Sequence, residues 1–157
     1  MKRNINLQEL SRDHHHGLLL GWKIRQGLKY SISPEVIAEY VAYFSVAALY
    51  PHFREEENHI LSYLSDNDEF KTRTLREHED ITRLIDLISV PPVQTETLIK
   101  IAQQVDDHIR FEERELFPYL ESTLDDDQLE KIGDAINSNH QPFVENYPLE
   151  FWKTVTT

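Results

Sequence analysis

One stripe of side chains limits what this chain can become. Between residues 95 and 120, Leu98, Ile101, Val105, Leu116 and Tyr119 recur at a spacing that puts them on one face of an α-helix. His108 and Glu112 fall in the same register, where a plain helical bundle would carry leucine. A second segment repeats the anomaly: Ile37, Val41, Phe44 and Ala48 lead on to His52 and Glu56. A buried carboxylate without a partner is costly and would sooner take up a proton. Two such pairs meeting in one core require a common cationic partner, and a metal ion supplies it. The His-x-x-x-Glu spacing suits that role. It places both side chains on one face a turn apart, so the histidine can bind one ion while the glutamate reaches between two.

Apolar residues keep helical spacing almost throughout, which predicts helices over about 7–28, 34–64, 69–88, 95–120 and 126–139. Ser33 reads as an N-cap with Pro34 at the first helical position. Asp66-Asn67-Asp68 breaks the second helix, Val90-Pro91-Pro92-Val93 stops the third, and Phe117-Pro118 marks the end of the fourth. An aspartate cap precedes the fifth. Pro51 reads as a kink or a tolerated bend in the second helix. The inward faces are expected to hold Leu7, Leu10, Leu18, Gly21, Ile24 and Leu28 in the first helix, and Leu75, Ile81, Ile85 and Ile88 in the third. Trp22 is expected to fill the core. Phe143, Tyr147, Phe151 and Trp152 predict a tail packed on the bundle. Short connections between long helices favour an all-α, up-down-up-down four-helix bundle with a short fifth C-terminal helix. The expected organisation is a single domain over 1–157, with the bundle at about 7–120 and the C-terminal helix and tail at 121–157.

The first and third helices add one histidine each to their stripes. His78 lies three residues after Leu75 and three before Ile81. In the run Asp13-His14-His15-His16, His14 sits at the centre of the stripe, His15 at its edge and His16 towards solvent. His14 is therefore the expected ligand and His15 the alternate. A weak internal repeat points to the same residues. Arg12-Asp13-His14 is similar to Arg76-Glu77-His78, and His52-Phe53-Arg54-Glu55-Glu56-Glu57 to His108-Ile109-Arg110-Phe111-Glu112-Glu113. Two such halves face to face would give a pseudo-symmetric site of His14, His52, Glu56, His78, His108 and Glu112. Each of two ions would take two imidazoles and share two carboxylates. His59 and His140 read as surface or packing residues.

Other chemistries are excluded on residue types. The chain has no cysteine, so disulfides, thiolate zinc sites and iron–sulfur clusters are absent. A net charge of −12 argues against nucleic acid or an anionic membrane as partner. No apolar run reaches the roughly 20 residues of a membrane span, and a cytoplasmic location is expected. The paired Glu-x-x-His motifs of ferritin-like sites, the His-Glu-x-x-His of zinc peptidases and a calcium loop at Asp125-Asp126-Asp127 are all missing or incomplete.

The strings R-D-H, H-F-R-E-E-E, R-E-H and H-I-R-F-E-E-R-E-L-F-P, in that order over about residues 7–120, resemble the hemerythrin-like family, also called the HHE cation-binding domain. That resemblance implies a bundle with a non-haem, carboxylate-bridged pair of iron ions that reacts with dioxygen, nitric oxide or peroxide. Manganese and zinc suit the same donors on softness alone. Where the oxygen carriers have a second histidine four residues on in the third helix, this chain has Thr82. Its fourth helix carries His108-x-x-x-Glu112 in place of a His-x-x-x-x-Asp pair. It is thus more similar to the four-His, two-Glu members linked with nitric oxide stress and iron handling. The expected role is binding or sensing of O2, NO or iron. An enzyme acting on peroxide or nitric oxide, and a metal-free helical interaction module, are the competing readings.

Overall fold

In the computed structural model, which describes residues 2–153, a short 3-10 turn at Ile5–Leu7 leads into α1, Gln8–Lys29. Then come α2, Pro34–Phe44; α3, Tyr50–His59; α4, Glu69–Leu87; α5, Thr95–Phe111; α6, Phe117–Thr123; and α7, Asp126–Asn139. No strand occurs among the described residues. The helix starts follow local chemistry. The Asp68 carboxylate accepts from the backbone N–H groups of Phe70 and Lys71 at 2.9 and 3.1 Å, a cap worth about 1 kcal/mol. Asp125 and Gln128 bond each other's backbone N–H reciprocally ahead of α7. Ser33 holds the expected place before α2, but its hydroxyl donates to Glu35 instead of capping.

The second and fourth expected helices are each two α segments joined by a π-helical turn, Ser45–Leu49 and Glu112–Leu116. The cause is the same in both. Leu49-Tyr50-Pro51 and Leu116-Phe117-Pro118 place a proline at the second position of the following helix. Proline has no N–H, and its ring crowds the carbonyl four residues back. The wider turn takes up that misfit, with Tyr50 N–H bonding Ser45 C=O and Phe117 N–H bonding Glu112 C=O. Phe117-Pro118 therefore continues the fourth helix, to Thr123, instead of ending it. The second helix is shorter than expected: α3 stops at His59 and a 3-10 turn follows at Leu61–Tyr63.

The π turn also corrects the register. In an unbroken helix the twelve steps from Phe44 to Glu56 would rotate the face by about 120°. One residue absorbed in the wide turn reduces this to about 20°, and both side chains are buried.

Helix α5 is central, with α1 and α4 packed along it; α7 lies on the N-terminal 3-10 turn and α3. Glycines let α1 approach closely. A Cβ on Gly17 would sit 2.6 Å from Ile109 Cδ1, and one on Gly21 2.8 Å from Asp106 Oδ1. The inward face of α1 is therefore Leu10, His14, Gly17, Gly21 and Ile24. Leu18 and Trp22, expected inside, stand one residue round the helix and are 43% and 46% exposed. In α4 the inward residue is Thr74, whose hydroxyl donates to the Phe70 carbonyl. Leu75, also expected inside, is 37% exposed. The tail packs as expected, with Phe151 and Trp152 buried and Phe143 and Tyr147 partly buried against the core of α2 and α5. A second apolar cluster joins Leu7, Leu10, Phe111, Phe117, Leu120 and the inner face of α7.

Candidate metal centre

Along α1 and α5, the stripes pass from one apolar cluster to the other through polar residues: Leu10, His14, Leu20 on α1, and Ile109, His108, Glu112, Leu116 on α5 and the π turn that follows it. His14, His52, Glu56, His78, His108 and Glu112 all converge there, and all six are buried, both glutamates completely. They form two groups of possible ion donors. His14, His52, Glu56 and Glu112 make one; Glu56, His78, His108 and Glu112 make the other. The glutamates belong to both. His15 is exposed and belongs to neither, because its place one residue past His14 turns it out of the stripe.

The imidazoles are aimed by a ring of carboxylates. Nδ1–H of His14 donates to Glu113 at 2.7 Å, that of His108 to Glu77 at 2.7 Å, and that of His52 to Asp13 at 3.1 Å. Glu57 stands 3.6 Å from His78 Nδ1. An ionised carboxylate only accepts, so each bonded Nδ1 must carry its hydrogen, and Nε2 is the atom turned to the interior. The arrangement follows the internal repeat. Asp13 and Glu77 immediately precede His14 and His78, while Glu57 and Glu113 immediately follow Glu56 and Glu112. A stripe reading passes over these four because they lie about 100° round their own helices. Their signal was the repetition of an acid beside each ligand candidate in both halves.

Inside the ring, His14 Nε2 lies 3.0 Å from Glu112 Oε1 and His78 Nε2 3.1 Å from Glu56 Oε1. Four other atoms have no hydrogen-bond partner: Nε2 of His52, Nε2 of His108, Oε2 of Glu56 and Oε2 of Glu112. Buried polar atoms are rarely left unpaired, because each costs about 1–3 kcal/mol. These four are related by the repeat and are the donor types that hard and borderline cations take. The residues present therefore fit a pair of metal ions.

With no cation present, His14, His52 and His78 hold a proton more tightly than a free imidazole does. Burial disfavours the charged form of His14, but hydrogen bonds to Glu112 and Glu113 outweigh it and raise the group to about 9. His78 rises to about 9 in the same way, against burial, through Glu56 and Glu57. His52 is likewise held well above the usual imidazole range, with the Glu56 charge overcoming its burial. Burial would push Glu113 up, yet His14 brings it down to about 2.

A narrow cavity of about 40 Å³ reaches this cluster. The buried His14, His52, His108 and Glu112 line it together with Val105 and Ile109, and its lining reaches the surface at Ala47 of the π turn and at the partly buried Phe143 and exposed Gln141 of the tail, its outer end. Trp22 does not line it. His16, expected in solvent, is half-buried with its ring edge-on to Phe143 at 5.1 Å. His140 is a packing residue held between Glu55 and Asp13. No helix among the described residues is long and apolar enough to cross a membrane.

No curated protein and no solved structure shows a significant match to the chain. The model of the hemerythrin HHE cation binding domain matches residues 6–120, the span that contains all six converging residues. By its sequence, then, and in keeping with a buried histidine–glutamate cluster able to hold cations, this chain belongs to the hemerythrin HHE cation-binding domain family.

Proposed function

We propose that the chain is a non-haem di-iron protein that binds or senses a small diatomic molecule, O2 or NO. One ion is held by His14 and His52, the other by His78 and His108, and Glu56 and Glu112 are shared between them. The observation that carries this reading is the pair of four-donor groups with two glutamates in common and their four unpartnered donor atoms. A metal-free interaction module would have no use for such atoms in its core. In this reading the four long rods run up-down-up-down, and residues 1–157 form one domain around the centre.

When bound, such an ion pair supplies open coordination positions and redox-active electrons. The chain's own residues do the rest. Asp13, Glu77 and Glu113 fix the imidazole orientation through Nδ1–H, which leaves Nε2 as the donor. Phe53 and Phe117 stack on His78 and His14 and keep bulk water from the rings. The cavity's 40 Å³ is room for roughly two or three water-sized molecules. Its apolar wall favours neutral diatomics over anions or larger substrates. Iron is favoured over manganese and zinc by the hemerythrin character of the family. An enzyme acting on peroxide or nitric oxide would use the same centre, and turnover assays on the iron-loaded protein separate the two roles.

Elemental analysis of natively purified protein tests the proposal. Two ions per chain are expected, with loss of metal in Glu56→Ala and Glu112→Ala and full retention in His59→Ala. Retention in all three variants refutes the ligand assignment. An optical spectrum of the iron-loaded protein with and without O2 then tests the metal and its ligand together.

A further inference from the structure

The family match ends at residue 120, yet the cavity's outer end is built from residues beyond it. After α7 the chain runs without helix from His140 to Glu150 and closes in a turn at Phe151 and Trp152. Most of this strap is exposed, and its inward residues are His140, Phe143, Tyr147, Phe151 and Trp152.

Both flanks of the Phe143 stretch are pinned. Upstream, His140 Nδ1 lies 3.0 Å from Glu55 and Nε2 3.3 Å from Asp13. These carboxylates sit at opposite ring nitrogens, so together they clamp the imidazole. Downstream, the Tyr43 hydroxyl donates to Asn146 Oδ1 at 2.8 Å, and Glu145 reaches Lys23 at 3.2 Å. Lys23 is buried on α1, with its ammonium 2.9 Å from the Tyr40 hydroxyl and 4.1 Å above the Trp152 ring. A buried ammonium without a counter-charge is strongly unfavourable, and the strap supplies this one. The core of α1 is thus built for a chain that keeps its strap closed.

Only Gln141 to Val144 lie free between the two pins. In their middle, the Phe143 ring packs edge-on against His16 at 5.1 Å and Phe44 at 5.3 Å, across the outer end of the cavity. We propose that this stretch is a gate, with Phe143 as the residue that admits small neutral ligands to the His–Glu cluster and sets the upper size of what enters. The purpose of the gate rests on the proposed ligand-binding centre; its existence rests on the packing alone. Opening needs rotation of one ring and a shift of four residues, with both pins intact, which suits loop motion on a fast timescale.

Methyl NMR of the metal-free protein, with dissolved O2 as paramagnetic probe, tests the gate directly. Phe143→Ala should raise the O2-induced relaxation at the Val105 and Ile109 methyls severalfold, and Phe143→Trp should lower it. Phe143→Leu, smaller but still apolar, should raise it too, which decides the matter if Phe143→Ala does not fold. In the iron-loaded protein, NO should bind Phe143→Ala on the order of tenfold faster than wild type. Wild-type O2 access in folded Phe143→Ala, or in Phe143→Leu if it alone folds, overturns the gate, even where both variants hold two ions per chain. Changed access with no metal in any variant upholds the gate and refutes the di-iron reading instead.

Discussion

Glu77 offers a sharp test, because it touches no ion in the proposed centre and yet aims a ligand for only one of the two. Its carboxylate accepts from His108 Nδ1–H at 2.7 Å and is held in turn by Arg73 at 2.8 Å. In Glu77→Ala, Arg73 keeps Glu115 as a partner at 3.6 Å, so the main loss is the bond that orients His108. A hydrogen bond to a charged group contributes about 1.5–3 kcal/mol. Glu77 is only half-buried and water can take part of its place, which puts the expected loss in the lower half of that range. The corresponding drop in affinity is roughly 10- to 50-fold, within the usual cost of removing a carboxylate behind a metal-binding histidine. It should fall on the ion held by His78 and His108, and leave the ion held by His14 and His52 nearly unchanged. Titration of metal-free protein with Co²⁺ against a chromophoric chelator resolves this as one weakened step and one preserved step. Glu77→Gln retains an acceptor and should recover most of the loss. Glu79→Ala, two residues on and paired only with Arg83 on the surface, is the control. Wild-type affinity for both ions in Glu77→Ala would refute the idea that this ring of acids aims the ligands.

The mirror variant Asp13→Ala should weaken the other ion, the one held by His14 and His52, in the same titration. Acidity gives a second handle. His14 and His78, raised to about 9 in the metal-free fold, contribute stability that is complete below pH 6.5 and lost as pH rises through about 9. The melting temperature of metal-free protein should therefore fall between pH 6.5 and 9, and metal should abolish most of that fall because it binds neutral imidazole; a flat metal-free profile counts against the paired imidazoliums. Ile132→Ala in α7, fully buried, should cost about 2–5 kcal/mol in denaturant unfolding; a value near zero would mean that α7 is not part of the cooperative unit. Gly133→Ala puts a Cβ 2.1 Å from Asn6 Oδ1 and should displace the N-terminal turn at about 1–3 kcal/mol, readable as faster amide exchange over Ile5–Leu7.

The six central residues were legible in the sequence because burial is periodic and chemistry is not. A histidine or glutamate in an apolar register contradicts its surroundings, and six such contradictions, spread over four expected helices, can be reconciled in few ways. Leu18 and Leu75 misled for the complementary reason. Both are apolar and near the stripe, but Gly17 and Thr74 hold the inward positions, and small residues leave little trace in a hydrophobic pattern. Asp13, Glu57, Glu77 and Glu113 were hidden by their angle. On their own helices they face the flank, and only the neighbouring helix turns that flank into the back of the site. The strap was visible merely as a run of aromatics; what it covers depends on contacts across more than a hundred residues of chain, such as Tyr43 to Asn146 and Lys23 to Glu145.

The two wide turns ahead of Pro51 and Pro118 make helix length a functional quantity. Inserting one more residue into Ser45–Leu49, where the wide turn already absorbs one, would leave a helix of much the same propensity, yet would swing everything after it by about 100°; losing one would only close the turn to plain α-helix in the same register. His52 and Glu56 would leave the interior while His14 and Glu112 stayed. Such an insertion should give a chain that remains helical, melts cooperatively and has lost two of the six converging side chains. Among descendants of this sequence, point substitutions within Ser45–Leu49 are then far easier to absorb than insertions.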